Sequence, residues 1–266
     1  MKVTQLIHLL LFPLLQLGFF LVFAFTINLS YWAFLWILPA ALLLNFTLHI
    51  SIHYLVHFPI RNKIIAPISG FLLTAILGLP YHYYEMSHWN HHRYNNNLED
   101  FTTTWRKQRT GEIIPKPFLS YILFWLFVPP GDLNKQFESA IRDGYSTKNK
   151  QKLASMEFGF NLILWGFLAY LSVFLLLGYL MMIYIAWVLI SAQNYGQHMP
   201  DEYQKHKGYS FYARWYNSMF VNNGLHKEHH DQPELSYWQL SNKKGDGAVD
   251  QPHLMAGLFL NQKRNK

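Results

Sequence analysis

The sequence predicts an all-α integral membrane protein: four transmembrane helices in two hairpins, with a cytosolic cap of histidine-rich helices. Three observations carry this. Half of the 266 residues are hydrophobic and 18% are aromatic. Only 14% are charged, against roughly 25% in soluble domains. The fourteen histidines gather in a few short motifs beside the apolar stretches.

A bilayer core about 30 Å thick needs about 20 apolar residues in a helix. Four stretches meet this: 6–27, 31–52, 158–177 and 178–195. The turns between them, at Asn28–Ser30 and near Gly178–Tyr179, are short enough to make each pair a hairpin. The first stretch exceeds the 7–15 apolar residues of a signal peptide and reads as a retained span. All 22 Lys and Arg fall in the N-terminus (Lys2), the region Arg61–Lys152 and the tail from Lys205. With two hairpins these segments share one side, which the positive-inside rule makes cytoplasmic, as it does both termini. Two further apolar segments, 64–84 and 118–130, are read as re-entrant or interfacial. The first carries Pro67, Gly70, Gly78 and Pro80, and a full crossing would divide the histidines between opposite faces. The whole chain, 1–266, is taken as a single domain, with residues after about Asn261 expected to be disordered.

The absence of cysteine excludes disulfides, thiolate-held iron–sulfur clusters and Cys-based zinc sites. No GxGxxG occurs, so electrons for redox chemistry are expected from a separate protein. The net charge of +7 suits anionic lipid headgroups, or an acidic electron donor, and nucleic acid is not an expected partner.

The histidine motifs are His49-x3-His53-x3-His57, His88-x2-His91-His92, Asn194-x3-His198 and His226-x2-His229-His230. Spacings of three and four place side chains on one helix face, so each HxxHH offers up to three imidazoles from one turn. Nine ligands exceed what one zinc takes and suit two ions. No HExxH is present, and Glu85-x2-His88 is the one ExxH, against the two such pairs of soluble di-iron bundles. Two irons fit the ligand count best. The expected metal ligands are His53, His57, His88, His91, His92, His198, His226, His229 and His230. Asn194 is a further candidate, and His49 replaces His57 if the first motif is His49–His53. His8, His82, His206 and His253 read as interfacial anchors.

At these residues the chain resembles the membrane fatty acid desaturase superfamily, whose signature is three histidine boxes, HxxxH, HxxHH and HxxHH, around two transmembrane hairpins. The boxes here correspond to His53–His57, His88–His92 and His226–His230. Asn95, Asn96 and Asp100 are similar to the stretch after the second box. Asn194–His198 is similar to an NxxxH element of acyl-CoA desaturases and alkane hydroxylases. His229–Pro233 with Trp238 resembles the segment after the third box. His57 departs from the pattern in being followed by Phe58-Pro59. The resemblance implies two iron ions cycling between Fe2+ and Fe3+, O2, a lipid acyl or other alkyl-chain substrate, and an electron donor of ferredoxin or cytochrome b5 type. Loss of two hydrogens gives a double bond, and insertion of oxygen gives an alcohol, so the boxes separate a fatty acyl desaturase from a hydroxylase or carotenoid ketolase in no way. The short chain and the Tyr237–Leu240 ending are similar to ketolases. A metal transporter or storage protein expects ligands at mid-bilayer depth, where only His8, Asn45 and His49 are suitable. Glu85, Asp100, Glu228 and Asp231 are candidates to fix the imidazole tautomers.

Overall fold

The computed structural model describes residues 3–124, 130–200, 203 and 208–241. His206, His253 and the tail after Asn261 lie outside them, as does the side chain of His8. The chain is mostly helical and divides into two units, Met1–Met86 with Leu133–Trp187, and Ser87–Asp132 with Val188–Lys266.

In the first unit, α1 (Val3–Thr26) is followed by a continuous helical run over Tyr31–His57. Ser30 starts the run, its hydroxyl accepting the Trp32 N–H at 3.2 Å. The run changes character along its length: a 3-10 turn (Tyr31–Trp36), α2 (Ile37–Phe46), a π-helix (Thr47–Ile52) and α3 (His53–His57). The π segment inserts an i→i+5 turn just before His53, and such a turn rotates all later side chains about the helix axis. Within α3 the rings of His53 and His57 stay neighbours, 4.8 Å between centroids.

Beyond α7 (Pro130–Arg142), helix α8 (Lys148–Leu171) is capped by Thr147, and α9 (Val173–Gln197) by Ser172, whose hydroxyl accepts the Phe174 N–H. The break between them is thus Ser172, not the expected Gly178–Tyr179. The expected spans 158–177 and 178–195 become Lys148–Leu171 and Val173–Gln197. Serine wins because its hydroxyl caps a helix N-terminus, whereas Gly178 continues the helix for a packing reason. A Cβ at Gly178 would lie 2.2 Å from the Phe23 ring of α1.

Among the described residues, Tyr31–His57, Lys148–Leu171 and Val173–Gln197 are long and apolar enough to cross a membrane, and Leu10–Thr26 is a shorter apolar helix. Ile163, Phe167 and Tyr170 protrude from α8 at 73%, 56% and 86% exposure. Leaving such side chains in water forgoes roughly 1.5–3 kcal/mol each, so that face suits lipid.

Segment 64–84 forms α4 (Ile65–Leu77) and enters α5 (Tyr81–Tyr94) through a bend of 84°. Gly78 takes φ +71 at the bend. The exposed backbone groups there are met from elsewhere in the unit. Thr74 Oγ1 accepts the Tyr81 N–H at 2.9 Å, and Glu157 Oε2 of α8 accepts the His82 N–H at 3.0 Å. From α9, Tyr179 donates to the Ala75 carbonyl and Trp187 to the Leu77 carbonyl, satisfying the last turn of α4. His82 is no interfacial anchor: it is buried, with Nδ1 2.6 Å from Glu157 Oε1.

The second unit departs from an all-α reading. Trp105–Lys107 (β1) and Ile113–Pro115 (β2) pair antiparallel. The unit also holds α6 (Phe118–Phe124), α10 (Arg214–Met219) and α11 (His226–Asp231), with part of the expected interfacial segment 118–130 outside the described residues.

The contact at Gly178 makes a specific prediction. Gly178→Ala should lower the thermal unfolding midpoint of the detergent-purified protein, an overpacking cost of about 1–3 kcal/mol. Gly159→Ala, where nothing lies within 4 Å, should leave the midpoint unchanged or raise it.

Candidate metal centre

Four imidazoles of the second unit converge: His91 from α5, His198 at the end of α9, and His226 and His230 from α11. Their nearest ring nitrogens all lie within 4.8 Å of one another. His91 Nε2 is 3.0 Å from His198 Nε2 and 3.1 Å from His230 Nε2, and His226 Nε2 is 2.8 Å from His198 Nε2.

Hydrogen bonding alone does not account for this. Asp100 Oδ2 lies 2.8 Å from His91 Nδ1 and also accepts the Asn96 N–H, while Oδ1 accepts the N–H and hydroxyl of Thr102. A carboxyl with four donors is an acceptor throughout. Burial would raise its pKa, but His91, His198 and the Thr102 N–H outweigh burial and hold it below the usual range. His91 then donates from Nδ1, which leaves Nε2 with one in-plane lone pair. That lone pair faces both His198 and His230, whose rings stand at 89° and 85° to it. One lone pair does not serve two such donors. Burial, then the neighbouring histidines, push the pKa of His226 and His230 well down, so both present neutral rings. Several neutral nitrogens aimed at one point suit a cation, whose bonds of about 2.0–2.1 Å set ligand nitrogens roughly 3 Å apart.

A second convergence in the same unit joins His88, His92 and His229. His92 Nε2 is 2.9 Å from His88 Nε2 and 3.0 Å from His229 Nε2. His53 and His57, in the first unit, form their own adjacent pair.

The supports are local and polar. Asn95 and Asn96 follow the second motif in the left-handed region, φ 39 and 66, which Asn tolerates better than most residues. This turn points the Asn96 amide inward, where Oδ1 accepts the Thr104 N–H and Nδ2 donates to the His198 carbonyl. Thr104 Oγ1 donates to the same carbonyl at 2.8 Å. Asn96 and Thr104 thereby tie the segment after α5 to the end of α9. Asn194 donates to Tyr121 at 2.6 Å and to the Thr102 carbonyl at 3.3 Å, so its amide nitrogen is engaged with the loop that carries Asp100. Glu228 accepts from Ser210 at 2.5 Å and from Tyr212, and Ser210 accepts the Lys227 N–H, which fastens α11 to its preceding segment. Of the other expected supports, Glu85 pairs with Lys150 and Asp231 with Lys227 on the surface. Thr102 and Thr104 were not singled out by the sequence; a run of three threonines after Asp100 was the available signal.

Residues 29–244 match the family model for fatty acid desaturase, which spans most of the chain. The chain belongs to the fatty acid desaturase family. No curated protein matches it at a significant level, and no solved structure does.

The Asp100–His91 bond predicts a measurable effect. Asp100→Asn removes the anion that fixes the tautomer, and loss of such a partner costs about 10–100-fold in metal affinity. Chelator competition on the purified variant, followed by metal analysis, should show earlier metal loss than in the unsubstituted protein.

Proposed function

We propose that the chain is an O2-dependent di-iron oxidoreductase acting on lipid alkyl chains, foremost a fatty acyl desaturase. The observation that carries the reading is the convergence of imidazole nitrogens into two groups, in a chain of the desaturase family. His91, His198, His226 and His230 would hold one iron. His88, His92 and His229 would hold the other, joined by His53 and His57, whose spacing and adjacency on α3 support that assignment. His53–His57 is taken as the first box, which leaves His49 outside the ligand set, and Asn194 acts through Tyr121 and Thr102 rather than on a metal.

The donor set fits iron: neutral nitrogen ligands with no thiolate, and an anionic carboxylate one step behind. When bound, the two irons supply the O2 chemistry that breaks an unactivated C–H bond. The residues of the chain do the rest. Asp100 keeps the proton of His91 on Nδ1 and so keeps Nε2 a ligand. Asn96 and Thr104 hold His198 in place through its carbonyl, and Glu228 holds α11. The histidines act as ligands and not as proton-transfer groups. In each turnover, one O2, two electrons and two protons remove two hydrogens from adjacent carbons, giving a double bond and two waters. The electrons come from a separate donor of ferredoxin or cytochrome b5 type. We further place both termini and the histidine-bearing segments on the cytoplasmic side, as the distribution of Lys and Arg supports.

Lipid extracts from cells expressing the chain, compared with cells expressing His198→Ala, test the reaction by mass spectrometry. Products two mass units lighter, lost in the variant, are expected. Products sixteen units heavier, also lost in the variant, would replace desaturation by hydroxylation.

A further inference from the structure

The β1–β2 hairpin belongs to the second unit, and the metal chemistry makes no use of its outer half. Its root is built into the supports of the imidazole group. The Lys116 N–H donates to the Thr104 carbonyl at 2.8 Å, and Thr104 Oγ1 donates to the His198 carbonyl, also at 2.8 Å. Tyr195 of α9 donates to the Lys116 carbonyl at 3.0 Å. Trp105, the aromatic residue of β1, is buried and packs edge-on against Tyr203, with ring centroids 5.3 Å apart. Beyond it every residue from Arg106 to Glu112 is exposed. That run, Arg-Lys-Gln-Arg-Thr-Gly-Glu, carries three cations against one carboxylate. Gly111, at φ +90, turns the tip. Arg106, Lys107 and Arg109 form no ion pair among the described residues.

We propose that this hairpin is the docking surface for the electron donor, a small acidic protein whose carboxylates face Arg106, Lys107 and Arg109. The identity of the partner rests on the proposed function, which needs two electrons from outside the chain. Two features select a protein over the other anionic surface at hand, the lipid headgroups. The first is composition. A segment seated in the headgroup layer turns Trp, Phe or Leu into it, but none of these lies between Arg106 and Glu112, and Trp105 faces inward. The second is place. Electron transfer weakens steeply with distance, so a donor must seat close to the residues that hold the metal. Arg106 follows Thr104 by two residues, about 7 Å of extended chain, and Thr104 touches the backbone of His198. Exposed, unpaired cations steer an acidic partner inward without holding it tightly, which suits a carrier that leaves after each delivery. Each docking passes one electron, oxidising the reduced donor and taking one Fe3+ to Fe2+, so two dockings supply one turnover.

The test uses the full chain in nanodiscs of phosphatidylcholine, which carries no net charge, with an acidic plant-type ferredoxin and an acidic soluble cytochrome b5 as probes. Biolayer interferometry should show one of the two binding, with an affinity that falls as salt rises. Arg106→Glu, Lys107→Glu and Arg109→Glu together should slow association about tenfold or more and flatten its salt dependence, with iron content unchanged. The same three positions changed to Gln serve if that variant does not yield folded protein. Lys148→Glu with Lys152→Glu, which reverses two exposed cations of α8, should leave association as it was. Stopped-flow reduction by the same donor should slow in parallel, while reduction by dithionite should not. Binding by neither donor overturns the proposal, as does an equal loss from the α8 variant. So does quenching by brominated phosphatidylserine of a fluorophore on Thr110→Cys, the chain's only cysteine, because the hairpin would then lie on lipid. Hairpin-dependent donor binding to a chain that holds no iron would instead overturn the proposed function and leave the docking surface standing.

Discussion

The rest of the structure answers to one constraint: imidazole nitrogens from separate segments held about 3 Å apart. Such an arrangement is unfavourable by itself, since it fixes several side chains in one small volume. It persists because the surroundings leave the rings nowhere else to go. Asp100 dictates the tautomer of His91, and the carbonyl of His198 is gripped by Asn96 and Thr104. Glu228 fixes the short helix that carries His226, His229 and His230. A binding site for a cation is thereby built in advance, with its reorganisation cost met during folding.

The first unit supplies the frame for α5. This helix begins at a bend whose backbone groups are satisfied from afar, by Thr74 in α4 and by Glu157 in α8. Glu157 is fully buried in α8, an expensive placement that two hydrogen bonds from His82 offset. A negative carboxylate at a helix N-terminus is also favoured by the helix dipole. Gly70 leaves room for this: a Cβ there would come within 2.6 Å of Glu157 Oε1. The entry of α5 is pinned before the helix reaches its own first motif histidine, His88.

The sequence made the motifs legible because helical periodicity converts spacing into direction. His88, His91 and His92 on one helix and His226, His229 and His230 on another could be read as convergent groups without coordinates. The apolar runs were likewise visible, although their division was not. A glycine and a serine both offered a break, and only packing against Phe23 distinguishes them. The π-helix before His53 leaves no mark in residue spacing, so the register of the first motif stayed open. Long-range polar pairs were invisible for a simpler reason. His82 and Glu157 lie 75 residues apart, and nothing local announces their meeting. Asp100 and Asp231 looked equivalent as supports, yet one is buried against His91 and the other lies on the surface beside Lys227.

That two separate groups of histidines each hold an iron is tested most directly by metal analysis with Mössbauer spectroscopy on protein produced with enriched iron. Close to two irons per chain in nitrogen-rich surroundings are predicted, with His226→Ala depleting one population before the other. A single zinc per chain, or iron content unchanged by His226→Ala, would contradict the proposed centre.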